Sequence, residues 1–66
     1  MLILQIYQLN YSEFGAVSSR ELVNQQYFIK EERDKAEEIM IRLNAHFCER
    51  SPEEPAKYKA VIAEVN

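Results

Sequence analysis

Residues 1–11 read MLILQIYQLNY, and this stretch decides the fold. Side chains in a strand alternate between two faces, so Leu2, Leu4 and Ile6 fall on one side and Ile3, Tyr7, Leu9 and Tyr11 on the other. Both sets are apolar or aromatic. A strand that is apolar on both sides is expected at the centre of a sheet with cover wanted above and below.

Working outward, residues 12–15 (SEFG) hold the only glycine of the chain, the residue best able to take a positive φ, and the chain is expected to reverse there into a hairpin. The second strand is expected over residues 20–29, RELVNQQYFI, which closes on three strand-favouring side chains, Tyr27, Phe28 and Ile29. Ser18-Ser19-Arg20-Glu21 also spells a helix capping box, so a short helix over residues 19–24 competes with that strand.

Residues 31–48 carry the clearest helical signal. Ala36, Ile39, Met40, Leu43 and Phe47 recur at the spacing of one buried stripe. Glu31, Glu32 and Asp34 crowd the first turn, where the positive end of the helix dipole favours them, and Arg50 lies just past the other end. Residues 51–54 (SPEE) resemble a new helix start, which Pro55 limits to about one turn. Residues 57–65, KYKAVIAEV, alternate as a last strand.

The order β-β-α-β defines an α+β fold of one domain over residues 1–66. Returning from the helix to the free side of the first strand gives a three-stranded sheet of order 2-1-3, with the helix on one face. One helix covers one face. If Leu2, Leu4 and Ile6 meet the helical stripe, then Ile3, Tyr7, Leu9, Tyr11 and, from the second strand, Tyr27 form an open face suited to partner binding. Contiguous exposed apolar and tyrosine-rich patches are characteristic of interfaces. The alternative is that the residue 12–19 turn or the residue 49–57 loop folds over it. Both outer strands also offer edges to a further strand; Lys57 and Lys59 guard one of them.

Size makes that question pressing. A chain of 66 residues buries only about 60% of the surface it exposes when unfolded. With one cysteine, Cys48, and one histidine, His46, it can build neither an internal disulfide nor a zinc site. A lone thiol fits a reducing compartment. No apolar run reaches the length of a membrane span, and the N-terminus lacks a basic segment and cleavage site of a secretory signal; a cytoplasmic protein is expected.

The chemistry-bearing residues do not assemble a catalytic motif. His46 and Cys48 stand two apart on a helix and point in different directions, so they cannot act as base and nucleophile. Glu31, Glu32, Asp34, Glu37 and Glu38 form an acidic helix surface interleaved with Arg33, Lys35 and Arg42, the pattern of a solvated face rather than a metal site. Glu53 and Glu54 are the remaining candidates for carboxylate-dependent hydrolysis, without a visible pocket. No enzyme, cofactor or metal is expected.

The net charge is −3, with eight acids against four bases between residues 31 and 54. A sheet bearing Tyr7, Tyr11 and Tyr27 could stack the bases of a single-stranded nucleic acid. However, only Arg20, Lys30, Lys57 and Lys59 could flank it, and no phosphate-binding loop is present. Mimicry of DNA by the helix would need a denser array of carboxylates.

The sequence of a strand with aliphatic and tyrosine residues, a YSEFG turn, a strand ending YFI, a helix with DKAEE and a closing YKAVIAEV resembles small proteins encoded by bacteriophages and mobile elements. The likeness extends over most of the chain. It implies an accessory protein that binds, and modulates or inhibits, a host or defence protein without catalysis; no site residue follows from it. The sequence therefore leads to a protein-interaction module, with a homodimer acting through its assembled surface as the alternative and a single-stranded nucleic-acid binder behind both.

Overall fold

A computed structural model describes residues 1–48 and 56–65. Two strands, β1 (Leu2–Tyr11) and β2 (Val17–Phe28), form a hairpin; a 3₁₀ turn (Lys30–Glu32) leads into the helix α1 (Arg33–Cys48), and β3 (Tyr58–Glu64) closes the sheet. The strand order is β2-β1-β3, with β1 antiparallel to both neighbours. The α+β fold with β1 central is thus the one its two-sided apolarity calls for.

Gly15 makes the hairpin possible. Its φ is +82°, a left-handed conformation that costs any side-chain-bearing residue. Its N–H donates to the Ser12 carbonyl at 3.0 Å, and the Ser12 N–H donates to the Ala16 carbonyl at 2.8 Å. The strand β2 begins three residues before the expected start, and no helix forms over residues 19–24. The serines that suggested a cap are used by the ladder: Ser18 Oγ donates to the Asn10 carbonyl at 3.1 Å, and Asn10 Nδ2 donates to Ser19 Oγ at 3.2 Å. Ile29 leaves the sheet, because its N–H is taken by the Glu32 carboxylate at 3.2 Å as the chain turns into α1.

Leu2, Leu4, Phe28, Ala36 and Ala60 are buried, and Ile6, Ile39, Met40, Leu43, Phe47 and Ile62 pack around them. Two of the buried residues are alanines, one on α1 and one on β3, and their short side chains let helix and strand approach closely. The helix lies over β3 and β1, antiparallel to β3. Arg33 at its start reaches Glu64 at 3.0 Å, and Phe47 near its end stacks obliquely on Tyr58 at 5.6 Å.

Between those contacts Asn44 fastens the two elements. Its Nδ2 donates to the Ala60 carbonyl at 2.9 Å, and its Oδ1 accepts from the Ala60 N–H at 2.8 Å. The side-chain amide thereby takes the place of a further strand at the outer edge of β3.

The molecule measures 41 × 22 × 14 Å. Packed layers lie about 10 Å apart, so the short dimension accommodates the sheet and one helix. Among the described residues, no helix is long and apolar enough to cross a membrane.

Candidate interaction surface

The register assigns every strand residue to a face. On the side opposite α1, Ile3 stands between Tyr27 and Ala63, Gln5 between Gln25 and Val61, and Tyr7 between Leu22 and Lys59. Further along, Leu9 lies opposite Arg20 and its N–H donates to the Lys57 carbonyl at 2.7 Å, while Tyr11 lies opposite Val17. All five residues nominated from the sequence, Ile3, Tyr7, Leu9, Tyr11 and Tyr27, therefore share this face. Tyr27 is 55% exposed; the four on β1 are half-buried because the neighbouring strands wall them in. Among the described residues, nothing is layered over them.

Two register shifts in β2 keep that alternation useful. One lies between Ile6 and Tyr7, where Val23 is skipped, and the other between Asn10 and Tyr11, where Ser18 is skipped. Each inserts an extra residue into β2, so Gln25, Leu22, Arg20 and Val17 all stay on the open side despite their uneven spacing. Without the shift at Val23, Arg20 and Leu22 would turn toward the helix side.

The polar ends of the rings are held within the face. Tyr7 Oη donates to Gln5 Oε1 at 2.9 Å, Gln25 Nε2 donates to Tyr27 Oη at 3.3 Å, and Tyr11 Oη donates to the Ala56 carbonyl. The Arg20 guanidinium sits 4.5 Å from the centre of the Tyr7 ring, a cation–π contact worth about 0.5–1 kcal/mol at an exposed site. Tyrosines fixed in this way present ring area at little further entropic cost on binding.

Among the described strand residues, charge on this face has one sign. Arg20 and Lys59 lie on it by register, and the alternation of β3 carried back from Lys59 adds Lys57. The strand carboxylates are on the other side: Glu21 pairs in register with Gln8, and Glu64 reaches Arg33. Among the described residues, Arg20, Lys57 and Lys59 take part in no ion pair.

The acidic helix surface is arranged differently. Glu31 and Glu32 belong to the 3₁₀ turn, and Asp34, Glu37 and Glu38 to α1. Three of these five are matched by cations: Glu32 with Lys35 at 4.0 Å, Glu37 with Arg33 at 3.8 Å and Glu38 with Arg42 at 2.7 Å. This is a solvated, internally paired surface, not an array of bare carboxylates.

A shallow cleft of about 240 Å³ lies beside β2, lined by Leu4, Ile6, Ile39 and Leu43 and by residues 24–26 of β2. It exists because α1 is displaced toward β3. Among the described residues, no titratable group lines it. Among the described residues, no three of His, Cys, Asp and Glu gather as a metal site, and Cys48 and His46 are both exposed at the end of α1. Residues 51–54, including Glu53 and Glu54, lie outside the described residues, as does Arg50.

Two features were not singled out in the sequence. Asn44 lies beside Leu43 in the apolar sector of α1, and a polar residue there signals a buried hydrogen-bonding task. Phe14, at the hairpin tip, is 89% exposed, the most exposed large apolar side chain among the described residues. Its signal was an aromatic residue within a turn sequence. No protein-family model matches the chain, and neither a curated protein nor a solved structure is detectably similar to it.

Proposed function

We propose that this chain is a non-catalytic interaction module that docks a protein partner on the face of its sheet opposite α1. One observation carries the reading: Ile3, Tyr7, Leu9, Leu22, Tyr27 and Val61 share one sheet face, interrupted only by Gln5 and Gln25 within their rows, and have no covering layer among the described residues. Such a surface has a cost in water that a partner removes. The likeness to small proteins of bacteriophages and mobile elements makes a host or defence protein the natural class of partner, with modulation or inhibition as the outcome. The single thiol of Cys48 suits action in a reducing cytoplasm.

Affinity capture tests this when three baits are compared: the wild-type chain, Leu9→Asp, and the helix-surface variant Glu38→Ala. A specific partner is expected on the wild-type and helix-surface baits and absent from Leu9→Asp, with circular dichroism showing all three folded. Equal recovery by all three baits would remove the open face from the function.

A second reading, a homodimer, is favoured by β2. This edge strand has 12 residues, 11 of them exposed, and a long edge is a template for pairing with another strand, in this case along the stretches on either side of its two register shifts. Light scattering over a concentration series separates the readings, since a mass that stays monomeric removes the dimer.

A further inference from the structure

We infer that the open face is built for an acidic partner surface, one in which carboxylates flank an apolar patch. This rests on the proposed docking face and goes beyond it by fixing the chemistry of the occupant. The argument is charge complementarity. A chain of net charge −3 places Arg20, Lys57 and Lys59 on this face and both of its strand carboxylates on the other. These three cations take part in no ion pair among the described residues, whereas on the helix layer Arg33, Lys35 and Arg42 are paired and only Lys30, in the 3₁₀ turn, is not.

The face also has two ends. Ile3, Tyr27, Ala63 and Val61 make an end without charged side chains, while Arg20, Lys57 and Lys59 surround Tyr7 and Leu9 at the other. A partner with an apolar anchor and acidic residues to one side satisfies both. Interfaces of this kind combine a desolvated apolar centre with charged contacts that set orientation.

The same observations weigh against two other occupants. A second copy meeting face to face would bring no strand carboxylate to these cations, only three more positive charges. A single-stranded nucleic acid would stack on the tyrosines, but Arg20 already covers the Tyr7 ring at 4.5 Å. Three phosphate contacts would also supply a salt slope of only roughly −2. Long-range repulsion from the acidic helix does not forbid an acidic partner, because the Debye length at physiological salt is about 8 Å, shorter than the 14 Å dimension across which helix and sheet are layered. At contact, the face is what the partner feels.

The test uses the full chain, isotopically labelled, with four probes: a short peptide alternating glutamate and leucine, its serine/leucine and lysine/leucine counterparts, and an oligothymidylate. The glutamate/leucine peptide is expected to move the amides of Tyr7, Leu9, Arg20 and Lys59 and to bind at least about tenfold more tightly than the serine/leucine peptide. The double variant Arg20→Glu/Lys59→Glu is expected to reverse the preference toward the lysine/leucine peptide. That gain cannot come from a damaged fold, and Lys57→Glu supplies a milder second variant.

Equal binding of the glutamate and serine peptides on this face would overturn the acidic inference while leaving the docking face standing. Shifts confined to α1 or the β2 edge, or no shifts with any probe, would overturn both. Tighter binding of oligothymidylate than of the acidic peptide would replace the inference with a nucleic-acid platform.

Discussion

The two faces of this sheet are made by the same central strand, with consecutive side chains sent to opposite sides. Leu2 and Leu4 go under α1 and lose contact with water, while Ile3 and Tyr7, of comparable apolar size, stay half-buried between neighbouring strands. Hydrophobicity alone does not distinguish them; what differs is the layer above. On the helix side the contacts are made within the chain and support the fold. On the open side they are, among the described residues, only lateral, and the remaining ring and aliphatic area is the surface proposed for another molecule. The two edges repeat this contrast, since β3 has Asn44 bonded to Ala60 whereas β2 keeps a long exposed edge.

The sharpest way to break the comparison is to shorten one side chain on each face. Leu2→Ala removes a side chain that is 0% exposed and is expected to cost about 3 kcal/mol. A domain of this size is held by roughly 3–10 kcal/mol in total. Chemical denaturation should therefore find Leu2→Ala with about a third or more of its stability gone, and unfolded only at the low end of that range. Ile3→Ala, one position along on the open face, should lose only about 1 kcal/mol, since less of its surface leaves water on folding. Equal losses at the two positions would mean that both faces are core.

A smaller effect is expected where the edges differ. Asn44→Ala deprives the Ala60 N–H and carbonyl of both partners, and should cost about 1.5–3 kcal/mol. Hydrogen exchange should show the loss as faster exchange at the Ala60 amide, with β2 amides little changed. Gly15→Ala comes next. No neighbour stands within reach of the added methyl, so the expected cost, about 1 kcal/mol, is the backbone term for a positive φ. Its signature is a lower unfolding midpoint with an unaltered denaturant slope.

How far the sequence reveals this structure depends on the range of the interactions involved. Alternation in residues 2–11 and the stripe from Ala36 to Phe47 are local periodic signals, and they suffice for the strands, the helix and the order β2-β1-β3. The assignment of Ile3, Tyr7, Leu9, Tyr11 and Tyr27 to one face follows from the same alternation. What escaped depends on pairing across strands. The start of β2 at Val17 rests on hydrogen bonds between Ser18, Ser19 and Asn10, which no capping-box rule anticipates. The skipped Val23 determines that Arg20 and Leu22 face outward, and a register shift leaves no mark in composition. Arg20 and the two lysines were visible as charges; that they gather on one face, with the strand carboxylates Glu21 and Glu64 on the other, required the register.

The smallest expected effect on stability, and the largest on binding, is at Leu9. Leu9→Asp places a carboxylate opposite Arg20 and beside the Lys57 segment. The strand loses apolar area and some strand propensity, about 1 kcal/mol, and regains part of this through the new charge pair. An acidic partner, however, would meet a like charge at the centre of the cationic end, where mismatched charges are strongly disfavoured. Thermal unfolding should thus shift by only a few degrees, about 5 °C per kcal/mol for a domain this small, while complex formation is lost. Leu9→Lys separates the contributions: it removes the same apolar contact but adds a cation, so a partner recognised through its carboxylates should retain more binding to Leu9→Lys than to Leu9→Asp. The reverse order would show that the face selects against acidic surfaces, and its three cations would then have to be explained by the fold alone.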